Sequence, residues 1–295
     1  MNASHALDAA KRAAAGWVAD RASSMGAALS YYTVFSIAPL LVIVIAVAGL
    51  VFGADAARGA IVEQLQGLLG KQAAQTIQEM LANASEPKSS ALATVVGFVL
   101  VLVGATTVFA ELQDDLDRIW KVPQRARPQG AWGWVRARML SFGMVLAIGF
   151  LLLVSLVASA AISAVGAWGG GLFGAWETLA HAVEVVVSFA LLSALFAVMY
   201  RFLPDVRIAW RDVAVGAIVT ALLFTVGKFL IGLYIGKSST ASTFGAAGSL
   251  VVLLLWVYYS AQIFLFGAEF TAAYSHAYGS RRAPRRRRTP VRRPR

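Results

Sequence analysis

The chain has no cysteine. That excludes disulfides, thiolate metal sites and a cysteine nucleophile, and it leaves the redox compartment open. Histidine is nearly as scarce. His5, His181 and His276 are far apart in the sequence and form no metallohydrolase-type cluster. AAGSL at Ala246 to Leu250 has no adjoining Lys-Ser/Thr, so it is no phosphate loop, and no nucleophile elbow is present. Charge is sparse too: 14% of 295 residues are charged, against about a quarter in an ordinary soluble domain. What fills the gap is apolar. Hydrophobic residues make up 59% of the chain and the mean hydropathy is +0.69, the composition of a polytopic membrane protein.

The net charge of +11 is concentrated in one place. Nine arginines follow Gly279 (Arg281, Arg282, Arg285, Arg286, Arg287, Arg288, Arg292, Arg293 and Arg295), and the body before them is close to neutral. Residues 275–295 carry too few apolar groups to fold and are expected to be a disordered tail. The tail has no interleaved aromatics for base stacking, so the expected partner is anionic lipid, with no specific nucleic acid.

Six apolar stretches have the length a helix needs to cross a bilayer: about 34–52, 92–110, 139–165, 178–200, 213–234 and 249–270. Residues 1–33 form an amphipathic N-terminal segment: Ala6, Leu7, Ala10, Ala14, Trp17 and Val18 recur at helical spacing, and there is no continuous apolar run of the signal-peptide kind. Between the first two spans, Ile61, Val62, Leu65, Leu68, Leu69, Ile77, Met80 and Leu81 recur at three and four, which predicts amphipathic helices outside the bilayer core. Lys and Arg cluster in alternate connections. Lys11, Arg12, Arg21, then Arg118, Lys121, Arg125, Arg127, Arg136, Arg138, then Arg201, Arg207, Arg211, then the tail fall on one side; Arg58, Lys71, Lys88 and Lys237 fall on the other. The positive-inside rule therefore predicts cytoplasmic termini and six crossings of a membrane domain over 34–274. The fold class is an all-α integral membrane protein.

The last span, SLVVLLLWVYYSAQIFLFGAEF, carries a polar stripe. Tyr258, Gln262 and Glu269 are four and then seven residues apart, hence on one helical face, and such a face is expected to turn toward protein. Glu269 either reaches the interface, pairs with Arg201, or belongs to a polar pathway with Gln262 and Tyr258. Pro39 in the first span is a packing kink or a gate. Glu184 and Lys228 are the two charges inside spans rather than at their ends, each roughly 9 Å below the outer end of its helix, and can pair. Gly232-x-x-x-Gly236 offers a close-contact face. Tyr31 and Tyr32 belong to an aromatic belt or a cavity mouth. Arg201, Arg207, Arg281, Arg282, Arg285 and Arg286 are the candidate contacts to the cytoplasmic membrane surface. Glu111, Asp114, Asp115 and Asp117 alternate with basic residues, which reads as a solvated helix face rather than a metal site.

SYYTVFSIAPLL (Ser30 to Leu41), ELQDDLDRIW (Glu111 to Trp120), YRFLPDVRIAWRDVAVGA (Tyr200 to Ala217) and TFGAAGSLVVLLLWVYYSAQIFLFGAEF (Thr243 to Phe270) resemble the YihY/BrkB family. With the spans between them, the resemblance runs from about Gly16 to Tyr274, and the arginine tail lies outside it. It implies a six-helix protein of the bacterial inner membrane. Some members have carried the label ribonuclease BN, which sits badly with a chain showing neither a metal cluster nor a positioned acid and base. The expected function is non-enzymatic: binding or translocating an amphipathic envelope molecule such as a lipid or glycolipid, with no cofactor and an unassigned oligomeric state. An envelope scaffold without transport is the alternative, and a membrane-tethered ribonuclease the third reading.

Overall fold

The computed structural model describes residues 3–69, 71–84, 91–123, 139, 143–144, 149–150, 174–237 and 248–281. Among these, all regular structure is helical: α1 (Ala3–Ala19), α2 (Ala22–Phe52), α3 (Ala54–Leu69), α4 (Lys71–Ala84), α5 (Ala91–Ile119), α6 (Gly174–Phe202), α7 (Trp210–Lys237) and α8 (Gly248–Ala277). The expected third span and the tail from Arg282 onward lie outside the described residues, a few positions of that span excepted.

Among the described residues, four segments are long and apolar enough to cross a membrane: Ala22–Leu50, Val185–Phe202, Trp210–Tyr234 and Leu250–Ala277. Their outward faces expose Phe35, Leu50, Val186, Leu222, Phe229 and Leu230, which suits lipid and not water. The first span begins a full three turns before residue 34, because Ala22 to Thr33 continues the same helix. Pro39 sits inside that helix, and its ring packs where Gly104 of α5 leaves room for it. Likewise α5 does not end with its apolar run but carries on through ELQDDLDRI.

α8 is the hub. It packs against α1, α2, α4, α5 and α7, while α2 pairs with α5 and α6 with α7. The buried core runs through these contacts: Leu29, Val34 and Leu41 of α2, Phe109 and Leu116 of α5, Val213 and Ala217 of α7, Leu253 and Leu265 of α8. Tyr200, fully buried on α6, donates from its hydroxyl to the Phe264 carbonyl at 2.7 Å and meets Thr220 Oγ1 of α7 at 3.1 Å, tying three helices together.

The helices α3 and α4, expected outside the bilayer core, pack against the rest of the bundle. The chain turns at Gly53, whose φ of 85° suits glycine. Leu65, in the fourth turn of α3, then lines the same cavity as Ile37 of α2 and Leu112 of α5, so α3 doubles back along α2. Ile61, Ile77 and Leu81 belong to the main core. The amphipathic pattern is real, but its apolar face is covered by protein.

Among the described residues none stands within 4 Å of where a Cβ on Gly232 would lie, whereas α7 approaches α8 tightly at Gly227, against Tyr259 and Ile263, and at Gly216, against Thr271.

Candidate functional site

Two features lie within the bundle: an apolar cavity and, toward one end, a polar junction. The cavity has a volume of about 330 Å³ and opens between α2, α3, α5, α6, α7 and α8. Its wall is Leu29, Ile37, Val108, Phe196, Phe224, Trp256 and Phe264, among others, and among the described lining residues only Thr33 and Ser260 bring side-chain oxygens. Tyr31 and Phe35 are exposed on the other side of α2 and pack together at 4.8 Å, so the belt residues do not line it.

The polar junction forms where α1 turns into α2 and meets α8 from its middle onward. Trp17 Nε1 donates to Gln262 Oε1 at 3.0 Å, and Gln262 Nε2 donates to the Ala22 carbonyl at 3.4 Å. Gly26 leaves the space that the Gln262 amide fills, and Gly16 does the same for the Glu269 carboxyl. Glu269 does not pair with Arg201. It faces Asp20 and Lys121, and Lys121 Nζ holds both oxygens of Asp20. Arg201 instead donates to the Ile208 carbonyl and lies over the Trp210 ring at 5.7 Å. Tyr258 is half-buried on α8.

Lys121 reaches Asp20 from the end of α5. The acidic segment leading to it is not a solvated face: Asp115, Leu116, Asp117, Ile119 and Trp120 are buried, and only Asp114 and Arg118 point outward. Asp117 accepts from the Asp205 backbone N–H at 2.7 Å, which pins the loop between α6 and α7. Among the described residues Asp115 Oδ2 has no hydrogen-bond partner, and burial, reinforced by Glu111, pushes its carboxyl up to about 7. In the sequence these residues show only as an i, i+2 and i+5 pattern (Asp115, Asp117, Trp120), which no helical stripe produces cleanly.

The same end is closed by the last turn of α8 and residues 278–281. Asp212 accepts from Ser275 Oγ at 2.8 Å and from Ser280 N and Oγ at 2.9 and 2.7 Å. Arg281 donates to the Arg207 carbonyl at 3.1 Å and sits over the Trp120 ring at 5.5 Å, so it is held against protein. Arg207 itself is exposed. Tyr278 donates to Asp8 at 2.9 Å and stacks on His5 at 4.2 Å, docking α1. That bond and the Arg12 guanidinium hold the Asp8 carboxyl below its usual range, Arg12 contributing most.

The other sequence-predicted residues stand apart from this junction. Lys228 is exposed on α7, and Pro39 faces α5. The side chain of Glu184, and Arg282, Arg285 and Arg286, lie outside the described residues. Nothing in the sequence singles out Asp20 and Lys121 as site residues; each ends a helix in the left-handed region or next to it, with Arg21 at φ 56° and Lys121 at φ 53°.

The family model described as Virulence factor BrkB matches residues 13–292. The chain belongs to the BrkB family. Relatives of this BrkB-family chain include a "UPF0761 membrane protein" of Verminephrobacter eiseniae, 29% identical over 86% of this chain and 59% of the relative. Another from Teredinibacter turnerae is 29% identical over 86% and 58%, and one from Pseudomonas aeruginosa 29% identical over 93% and 63%. The chain thus spans about three-fifths of the length of the curated relatives it matches. No solved structure matches it.

Proposed function

We propose that this BrkB-family chain is a non-enzymatic protein of the bacterial inner membrane that binds or translocates an amphipathic envelope molecule, a lipid or glycolipid. The observation that carries the reading is the cavity. At about 330 Å³ it falls within the range of small-molecule sites, roughly 300–1,000 Å³, and its wall is apolar apart from two hydroxyls. An acyl chain matches such a wall; a sugar or an ion does not. We further propose six spans with both termini cytoplasmic. Support comes from the polar end of the bundle. Asp20, Lys121, Asp205, Arg207 and Arg281 belong to four segments that the basic residues assign to one side, and they are joined there by hydrogen bonds and ion pairs. The arginines beyond Arg281 would then meet the anionic cytoplasmic leaflet.

The test is cross-linking of purified protein in bilayers with a phospholipid carrying a photoreactive group on its acyl chain. Label should map to peptides holding Ser260 and Phe196, and Ser260→Trp, which fills the cavity, should cut it at least several-fold. Label confined to the outward faces around Leu222 and Phe229, unchanged by Ser260→Trp, would favour a scaffold.

A further inference from the structure

The α3–α4 pair runs into the bundle instead of lying across its end. α2 ends at Phe52, at the opposite end from the polar junction, and Gly53 turns the chain back. The rise from Ala54 carries Leu65 roughly 16 Å along α2, to the cavity wall it shares with Ile37 and Phe264. Ile37 lies near the middle of the apolar segment Ala22–Leu50, and Phe264 near the middle of Leu250–Ala277. Half of a hydrocarbon core is about 15 Å, so α3 reaches the middle of the bilayer. α4 returns beside it. A recess of about 400 Å³ between the two is lined by Arg58, Gly59 and Val62 of α3 and by Gln78, Leu81 and Ala82 of α4, an antiparallel register that sets Gln75 level with Leu65.

One stripe of this hairpin is buried: Ala57 and Ile61 on α3, Ala74, Ile77 and Leu81 on α4. Another face is polar. Glu63, Gln66, Gln75, Gln78 and Glu79 are all exposed, from Glu79 nearest the Gly53 end to Gln66 deepest. Amide and carboxyl side chains at this depth do not face hydrocarbon, and these are not covered by protein, so water must reach them. We propose that α3 and α4 form a re-entrant hairpin whose polar face walls a water-filled vestibule, running from the outer side to the middle of the bilayer. Leu65 then separates water on one side of the hairpin from the apolar cavity on the other. Resting on the lipid reading above, the vestibule takes the headgroup of the molecule whose acyl chain enters the cavity. Asp55 and Arg58, both exposed in the recess, offer that headgroup partners of either sign.

Single thiols placed in the cysteine-free chain test this in spheroplasts. Gln66→Cys and Gln75→Cys replace exposed side chains and should react with a small, charged, membrane-impermeant methanethiosulfonate added outside. A maleimide on a long polyethylene glycol chain should react with them several-fold more slowly than with Asp55→Cys at the rim. Phe229→Cys, on the lipid-facing side of α7, should react with neither reagent. Gln75→Cys reacting with both reagents as fast as Asp55→Cys would put the hairpin on the membrane surface. Reaction with neither would mean that its polar face is covered, and reaction only in inverted vesicles that it opens to the other side. Each of these overturns the vestibule, and so does a Phe229→Cys as reactive as Gln75→Cys. With the small adduct on Gln75→Cys, acyl photolabelling of Ser260 peptides should fall several-fold; undiminished photolabelling overturns the vestibule's part in binding. Thiol reactivity needs no bound lipid, so failure of the lipid reading and failure of the vestibule are told apart.

Discussion

Asp115 shows what burial does to a single side chain. Its carboxyl is 3% exposed, has an unpartnered oxygen, and keeps its proton up to about pH 7. The native state therefore binds that proton more tightly than the unfolded chain, whose carboxyl titrates near 3.8. Stability from this group is full below 3.8, falls as pH rises toward about 7, and is flat above. Asp115→Asn should raise stability at pH 8 by on the order of 1–3 kcal/mol, with the advantage vanishing in acid, in thermal melts of the purified protein. An advantage equal at all pH values would contradict the assignment. Sequence spacing finds the Gln262–Glu269 stripe because one helix carries both. It cannot find Asp20 or Lys121, because their partnership spans 101 residues and nothing local records it. Asp115 and Asp117 mislead for a related reason: interleaved Asp114 and Arg118 make the segment look wet when only one side of it is.

At the scale of elements, helix positions are legible and their destinations are not. The apolar recurrence from Ile61 to Leu81 marks two amphipathic helices, and two are there. Periodicity gives the width of an apolar face and says nothing about whether lipid or protein covers it. The cysteine-free chain allows a direct measurement. Leu65→Cys paired with Leu112→Cys should be joined by a short bis-maleimide, since both side chains line one cavity. Hairpins lying on the bilayer surface would leave that pair unlinked. Hydropathy places the start of the first span late because Ser23, Ser24, Ser30 and Thr33 dilute it, although Ser30 satisfies its own hydroxyl on the Ala27 carbonyl at 2.8 Å.

For the whole molecule, membrane residence is legible from composition alone, since 59% apolar residues exceed what a soluble surface can hide. The expected orientation rests on where the basic residues fall. Reporter fusions after Gly130 and after Arg295 should read cytoplasmic, and fusions at Ser89 and Ser239 external. A cytoplasmic reading at Ser89 would leave the six-span arrangement untenable.

The hub position of α8 has a consequence for synthesis. Trp17 emerges from the ribosome 245 residues before the Gln262 it binds, and Gly16 waits as long for Glu269. Until α8 is made, α1 lacks its main docking surface, and the faces of α2 and α5 that α8 will cover stand open in the bilayer. Contacts this distant in sequence form late and slowly. The earlier helices must be kept from wrong neighbours for the whole of translation, so a ribosome stalled before Gly248 leaves a chain inserted but with its centre missing.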